Sequence, residues 1–227
     1  MRASSPTTRL CGAFALCGVI SVGSSHVNPW PTSARQTLLV GSVELRPCQS
    51  VPAYCGRLDR RLDPTGAVPG RISIYFEYYP HSGRDKALGT LVATEGGPGY
   101  SATESRDDYL ALFKPLRPRH DVLLMDNRGT GQSEAVNCHE LQTAEKWTVE
   151  LIAACGRSLG NRAALYSTAY AADDLAGILE ALDIRRINLY GDSYGTYFEQ
   201  VFAVRHPNVL RSIVLDGAYP LNGADYA

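Results

Sequence analysis

The sequence holds no run of like charge and no basic stripe, and its formal net charge is −1. Nucleic acid is therefore not an expected partner, because clustered positive charge is what recruits it. There is no P-loop, no dinucleotide fingerprint after the first strand-like segment, no CxxC pair and no cluster of metal-ligating side chains. Neither a cofactor nor a metal is expected. Internal repeats and low-complexity tracts are also missing. The apolar stretch at residues 10–22 is shorter than the roughly 20 residues that cross a bilayer, so no stable membrane span is expected in a mature form. Histidine is scarce, with five in the chain, and only His206 follows residue 193.

What is present begins with an ordinary globular composition: 227 residues, 44% hydrophobic and 20% charged. That is enough chain for one domain with a substantial core. Arg2 and Arg9 precede the apolar stretch, and Gly23, Ser24 and Ser25 follow it. A basic start, a short apolar segment and small residues at its exit are the layout of a secretory signal. The expected organisation is a signal peptide at 1–25, a linker at 26–42 holding Pro29, Pro31, Thr32 and Ser33, and a domain at 43–227. A disordered start, or a helix retained as an anchor, is the alternative. Cys17 follows Leu16 rather than a small residue, so lipidation is not expected. Removing 1–25 would leave 20 basic against 23 acidic residues, a net charge of −3.

The cysteines agree with a secreted or cell-envelope location. Cys11 and Cys17 fall in the signal, and Cys48, Cys55, Cys138 and Cys155 remain. Four cysteines allow three pairings. The pairs nearest in sequence, Cys48 with Cys55 and Cys138 with Cys155, close short loops and are the expected ones. A zinc site lacks the usual ligand spacing. Buried free thiols would require a reducing compartment.

From residue 71 onward, strand and helix signals alternate. Residues 71–79, 90–94, 121–126, 187–190 and 212–216 are short β-rich or apolar runs. Residues 107–114, 169–182 and 194–204 have helical spacing. This alternation predicts a mostly parallel α/β sheet with helices on both faces. Ligands in such sheets sit beyond the carboxyl ends of the strands. Glycine-rich turns at 96–99, 129–131 and 191–195 lie at such ends, which locates a site before any motif is considered.

A serine hydroxyl becomes a nucleophile only when it is exposed, fixed in place and offered a base. Gly191-Asp192-Ser193-Tyr194-Gly195 stands between an apolar strand and a helical segment, the context in which Gly-x-Ser-x-Gly forms a strained turn. Ser193 is the expected catalytic nucleophile; a buried helix-capping serine is the alternative. The attacked carbonyl becomes an oxyanion that needs preplaced N–H donors. Tyr194 supplies one amide, and Gly97, in Gly96-Gly97-Pro98-Gly99, is the expected second. An ordinary tight turn there is the competing reading.

These segments resemble a known family. Glu95-Gly96-Gly97-Pro98-Gly99 is similar to the oxyanion turn of proline iminopeptidases, which carry His where Glu95 stands. Asp126-Asn127-Arg128-Gly129-Thr130-Gly131-Gln132-Ser133 resembles that family's second conserved turn. The sequence around Ser193, Val136-Asn137-Cys138, Ala154-Cys155 and Val214-Leu215-Asp216-Gly217 are similar to secreted tripeptidyl aminopeptidases. The resemblance covers about residues 45–220. It implies an α/β-hydrolase fold, a Cys138–Cys155 disulfide and a peptidase that releases residues from peptide N-termini through an acyl-enzyme. Gly96, Pro98, Gly99, Asp126, Arg128, Gly129, Gly191 and Gly195 are then structural turn residues. Glu95 is not expected to be catalytic.

A triad in this fold runs Ser, then Asp or Glu, then His. His206 sits at the far end of the helix that starts at Ser193, about 1.5 Å per residue away, and reads as a helix terminus. Glu199, Asp216 and Asp225 are the acids after Ser193, and the resemblance places the triad acid and histidine far downstream of them. The chain is therefore expected to be truncated before the lid and the C-terminal strands. An esterase or lipase of the same fold is one alternative, acting on a small ester substrate. A catalytically inactive binding relative is the other.

Overall fold

The computed structural model describes residues 36–220. The expected signal peptide at 1–25 lies outside them, as does most of the expected linker. Eight strands form one sheet in the order β1-β2-β3-β4-β6-β5-β7-β8. β1 (Leu38–Val40), β2 (Val43–Pro47), β3 (Tyr54–Arg61) and β4 (Arg71–Tyr79) make an antiparallel arm that joins β6 (His120–Met125). β6, β5 (Gly89–Thr94), β7 (Ile187–Asp192) and β8 (Leu210–Asp216) are parallel to one another. Residues 38–40 depart from the expected linker. Leu38, Val40 and Val43 pack their apolar side chains on the core, and the left-handed Gly41 closes the hairpin between the two strands.

The parallel strands alternate by face, as the two-residue period of a strand requires. Leu91, Ala93, Val122 and Leu124 point to one side, where Tyr109 of α1 (Arg106–Leu112) and Phe113 cover them. Val92, Leu123 and Leu189 point to the other side, against Leu175, Ile178 and Leu179 of α4 (Thr168–Ala181) and Phe198 and Phe202 of α5 (Tyr194–Arg205). Each fully buried side chain of this kind stabilises the fold by roughly 1.5–3 kcal/mol relative to leaving it in water. The expected helices thus exist within a residue or two of their expected ends, and they cover both faces.

Two further helices, α2 (His139–Thr143) and α3 (Val149–Leu159), lie between β6 and α4. Cys138 and Cys155 are joined across them, and Cys48 and Cys55 are joined across β2 and β3. Among the described residues no helix is long and apolar enough to cross a membrane.

The connections place the site. The chain leaves β5 through α1 to reach β6 on one side, then passes through α4 to β7 on the other side of β5. The carboxyl ends of β5 and β7 therefore meet at a switch in strand order, where such sheets form a crevice.

Candidate active site

β7 runs directly into α5, and Ser193 is the only residue between them. Its φ of 50° and ψ of −120° put a non-glycine residue in a region that L side chains avoid. The sequence enforces this turn through its two glycines. A Cβ on Gly195 would overlap the Thr94 carbonyl oxygen of β5. One on Gly191 would come within 2.5 Å of the Gly195 carbonyl carbon and 2.8 Å of the Glu199 carboxyl carbon. Helix and sheet therefore approach closely only because both positions lack side chains. Ser193 N–H donates to the Asp216 carbonyl at 2.9 Å, and the Ser193 carbonyl accepts from Thr196 Oγ1 at 2.7 Å. The Ser193 side chain is left exposed at the start of α5.

The turn after β5 faces it. A Cβ on Gly96 would lie 3.2 Å from Ser193 Cβ, so Gly96 lets the two loops touch. Gly97 has φ +112°, and a Cβ there would meet the Tyr100 ring at 2.9 Å. Glu95 Oε1 accepts the Gly96 N–H at 3.0 Å. Tyr194 is the first residue of α5, where an N–H has no acceptor within the helix and the helix dipole favours negative charge. Tyr194 and Gly97, expected as oxyanion donors, thus come from the first turn of α5 and from the turn after β5, on either side of Ser193.

A single phenol links these loops. Tyr109 Oη donates to Asp192 Oδ1 at 2.8 Å and lies 3.1 Å from Glu95 Oε2. Burial, then the hydrogen bond to Asp192, pushes the Tyr109 hydroxyl well above its ordinary range, so it stays a donor. Burial first, with help from nearby Glu95, raises the Asp192 carboxyl. Glu95 precedes the glycine that touches Ser193 and holds that turn in place through the Gly96 N–H.

The turn after β6 is built around the buried Asp126. Its carboxylate accepts from Ser101 Oγ at 2.7 Å, Thr103 N at 3.0 Å and Gln132 N at 2.9 Å. It thereby ties this turn to the segment that follows Gly99. Gly131 leaves room for that carboxylate, and Gly129 takes φ +79°. Arg128 reaches across to α4, where Nε and Nη2 engage both oxygens of the buried Asp174 at 2.7 and 2.8 Å. Ser133 Oγ donates to the Asp126 carbonyl at 2.8 Å and accepts from Tyr75 N at 2.8 Å. Asp126, Ser133 and Arg128 thereby tie this turn to the segment after Gly99, to β4 and to α4.

The described histidines lie elsewhere. His206 caps the far end of α5 and meets Asp173 at 2.8 Å. His81 pairs with Asp121 at 2.8 Å. Among the described residues none hydrogen-bonds Ser193, and no group of His, Cys, Asp and Glu side chains is arranged to hold a metal. Asp216 accepts from Tyr190 Oη at 2.8 Å. Sequence reasoning did not find Tyr109, Asp192 or Asp174, because nothing local marks a residue whose partner is 46 or 83 positions away. It named Glu199 only as an acid after the serine. Glu199 is in fact buried beneath Gly191 with neither carboxyl oxygen hydrogen-bonded.

A family model described as alpha/beta hydrolase fold matches residues 89–226. Serine protease Hip1 of Mycobacterium tuberculosis is 29% identical over 243 residues, covering 92% of this chain and 46% of that protein. Tripeptidyl aminopeptidase of Streptomyces lividans is 23% identical over 228 residues, covering 86% and 42%. A solved structure of a probable hydrolytic enzyme from Pseudomonas aeruginosa aligns over 71% of this chain and 40% of its own, with 17% identity and a TM-score of 0.48. The chain spans about half the length of the curated relatives it matches.

Proposed function

The chain belongs to the alpha/beta-hydrolase fold family, and from that premise we propose that Ser193 is the nucleophile of a serine peptidase that releases residues from peptide N-termini. The observation that carries this reading is the elbow itself: an exposed serine at φ 50° between β7 and α5, with Gly96 packed against it. The names of the relatives support peptides as the substrate class.

In this reading Ser193 Oγ attacks the scissile carbonyl carbon while its proton passes to a general base. The carbonyl oxygen becomes an oxyanion that accepts the N–H groups of Tyr194 and Gly97. The C–N bond then breaks, the amine departs with a proton, and water hydrolyses the acyl-enzyme ester. The described histidines do not supply the base at hydrogen-bond distance. The assignment therefore concerns the nucleophile and the oxyanion donors. The two disulfides support an oxidising compartment, in keeping with a secreted or cell-envelope protein.

A fluorophosphonate probe should label Ser193 in the folded chain and fail on Ser193→Ala. A folded sample that resists labelling would sink the nucleophile assignment. Peptide p-nitroanilides with free N-termini should be cleaved in preference to blocked ones. Equal cleavage of both would contradict release from the N-terminus, and turnover confined to simple esters would point to an esterase.

A further inference from the structure

Tyr109 Oη stands between two carboxyl groups. It is 2.8 Å from Asp192 Oδ1, in the residue before Ser193, and 3.1 Å from Glu95 Oε2, in the residue before Gly96. A phenol has one hydrogen and so donates to one oxygen at full strength. With both carboxyls ionised, one of these contacts would set oxygen against oxygen with no proton between them. A proton on the carboxyl side completes the chain: Glu95 Oε2 donates to Tyr109 Oη, and Tyr109 Oη donates to Asp192 Oδ1. The other oxygen of Glu95 is already committed, because Oε1 accepts the Gly96 N–H at 3.0 Å.

The surroundings favour that extra proton. Tyr109 is buried, with its ring stacked on Phe113 and edge-on to Tyr190. None of the ion pairs among the described residues includes Glu95 or Asp192. Arg106, on the same helix as Tyr109, has Nε and Nη2 on the two oxygens of Glu77 at 3.0 Å. Asp107 and Asp108 of that helix are exposed. The other titratable groups that bear on Asp192 are acids and a phenol: Asp216, the Tyr190 hydroxyl that donates to it at 2.8 Å, and the buried Glu199. Burial raises the Asp192 carboxyl, and Glu95 and Asp216 add to that. Two carboxyls so placed, without a counter-ion, do not both ionise readily.

We propose that Glu95, Tyr109 and Asp192 share one carboxyl proton, and that this proton fastens the turn after β5 to the elbow, making Tyr109 a positioning residue for Ser193. The join is tight at that point. A Cβ on Gly96 would lie 3.1 Å from Asp192 Oδ2 and 3.2 Å from Ser193 Cβ. Gly97, the expected second oxyanion donor, is the next residue. As pH rises and the shared proton leaves, two adjacent carboxylates repel across Tyr109 and push the 96–99 turn away from Ser193. The functional consequence rests on Ser193 as nucleophile, whereas the shared proton rests on the three side chains alone.

Glu95→Gln is the test variant. Its amide oxygen still accepts the Gly96 N–H while its amide nitrogen donates to Tyr109 Oη, so the chain is complete at every pH. In the parent, NMR of the full chain labelled with ¹³C and ¹⁵N should show the Asp192 carboxyl titrating above the ordinary carboxylate range. The amide resonances of Gly96, Gly97 and Ser193 should move in step with it. In Glu95→Gln the Asp192 titration should fall back toward that range, and those amides should stop responding. Fluorophosphonate labelling of Ser193 should be alike in the two proteins below the parent's Asp192 midpoint and about tenfold slower in the parent above it. Tyr109→Phe keeps the ring packing but removes the bridge, and should slow labelling by about tenfold even below that midpoint. Asp192 titrating in the ordinary range, an unchanged titration in Glu95→Gln, parallel labelling profiles, or parental labelling of Tyr109→Phe would each overturn the proposal. No labelling of either protein, with the Asp192 and amide responses as expected, would remove Ser193 as nucleophile and leave the shared proton in place.

Discussion

Two residues six positions apart on the same turn and helix behave oppositely. Ser193 is exposed in a strained conformation, while Glu199, on the next turns of α5, is fully buried with no hydrogen-bond partner for its carboxyl. Burial, with a smaller contribution from Asp192, raises the Glu199 carboxyl from 4.5 to about 9. The folded chain therefore keeps a proton that the unfolded chain releases above pH 4.5. Folding stability from this group is complete below that pH, falls as pH rises toward 9, and levels off beyond. The slope cannot exceed about 1.4 kcal/mol per pH unit. Glu199→Gln, neutral at every pH, should flatten this fall and leave the variant more stable than the parent at pH 8. Urea unfolding between pH 5 and 9 measures it; parallel pH profiles for the two proteins would contradict the neutral buried carboxyl.

At the scale of elements, the elbow depends on how closely α5 lies to β5. Gly195→Ala would drive a methyl group into the Thr94 carbonyl, so helix and strand would have to separate. Ser193 would then lose its register with the 96–99 turn. Fluorophosphonate labelling is expected to fall by at least about tenfold, as small misplacements of reacting groups do, and the thermal midpoint should drop as well. Labelling at the parental rate would show that the close approach is not needed. The elements themselves were largely readable from sequence. The helix expected at 169–182 is α4 (Thr168–Ala181), and that expected at 194–204 is α5, because both carry apolar residues at helical spacing. The antiparallel arm β1–β3 was not read. Its strands mix apolar with charged residues, as in Tyr-Cys-Gly-Arg-Leu-Asp-Arg-Arg of β3, and owe their order to pairing with β4.

For the whole molecule, the two disulfides tie down segments that the core reaches least. α3 buries none of its side chains fully, and Trp147, Val149 and Ile152 near its start are exposed. Cys138 and Cys155, 17 positions apart, hold this excursion to the body of the domain. Closing a loop of that length stabilises by about 3 kcal/mol through the unfolded state. The Cys138→Ala, Cys155→Ala double variant should lose about that much in urea unfolding. A loss below about 0.5 kcal/mol, the ordinary effect of a surface substitution, would mean that the bridge contributes little to stability.

The sequence by itself determined the parallel half of the sheet, the three glycine turns and the position of Ser193. Those features depend on neighbours a few residues apart: apolar strand, glycine, serine, glycine, helix. Tertiary structure alone decided how the turns are held. Tyr109 reaches Asp192 across 83 positions, Arg128 reaches Asp174 across 46, and Glu199 is stripped of water by the strand it packs beneath. No local pattern encodes such partners, because the force that selects them is desolvation in a crevice that exists only after the chain has closed around it.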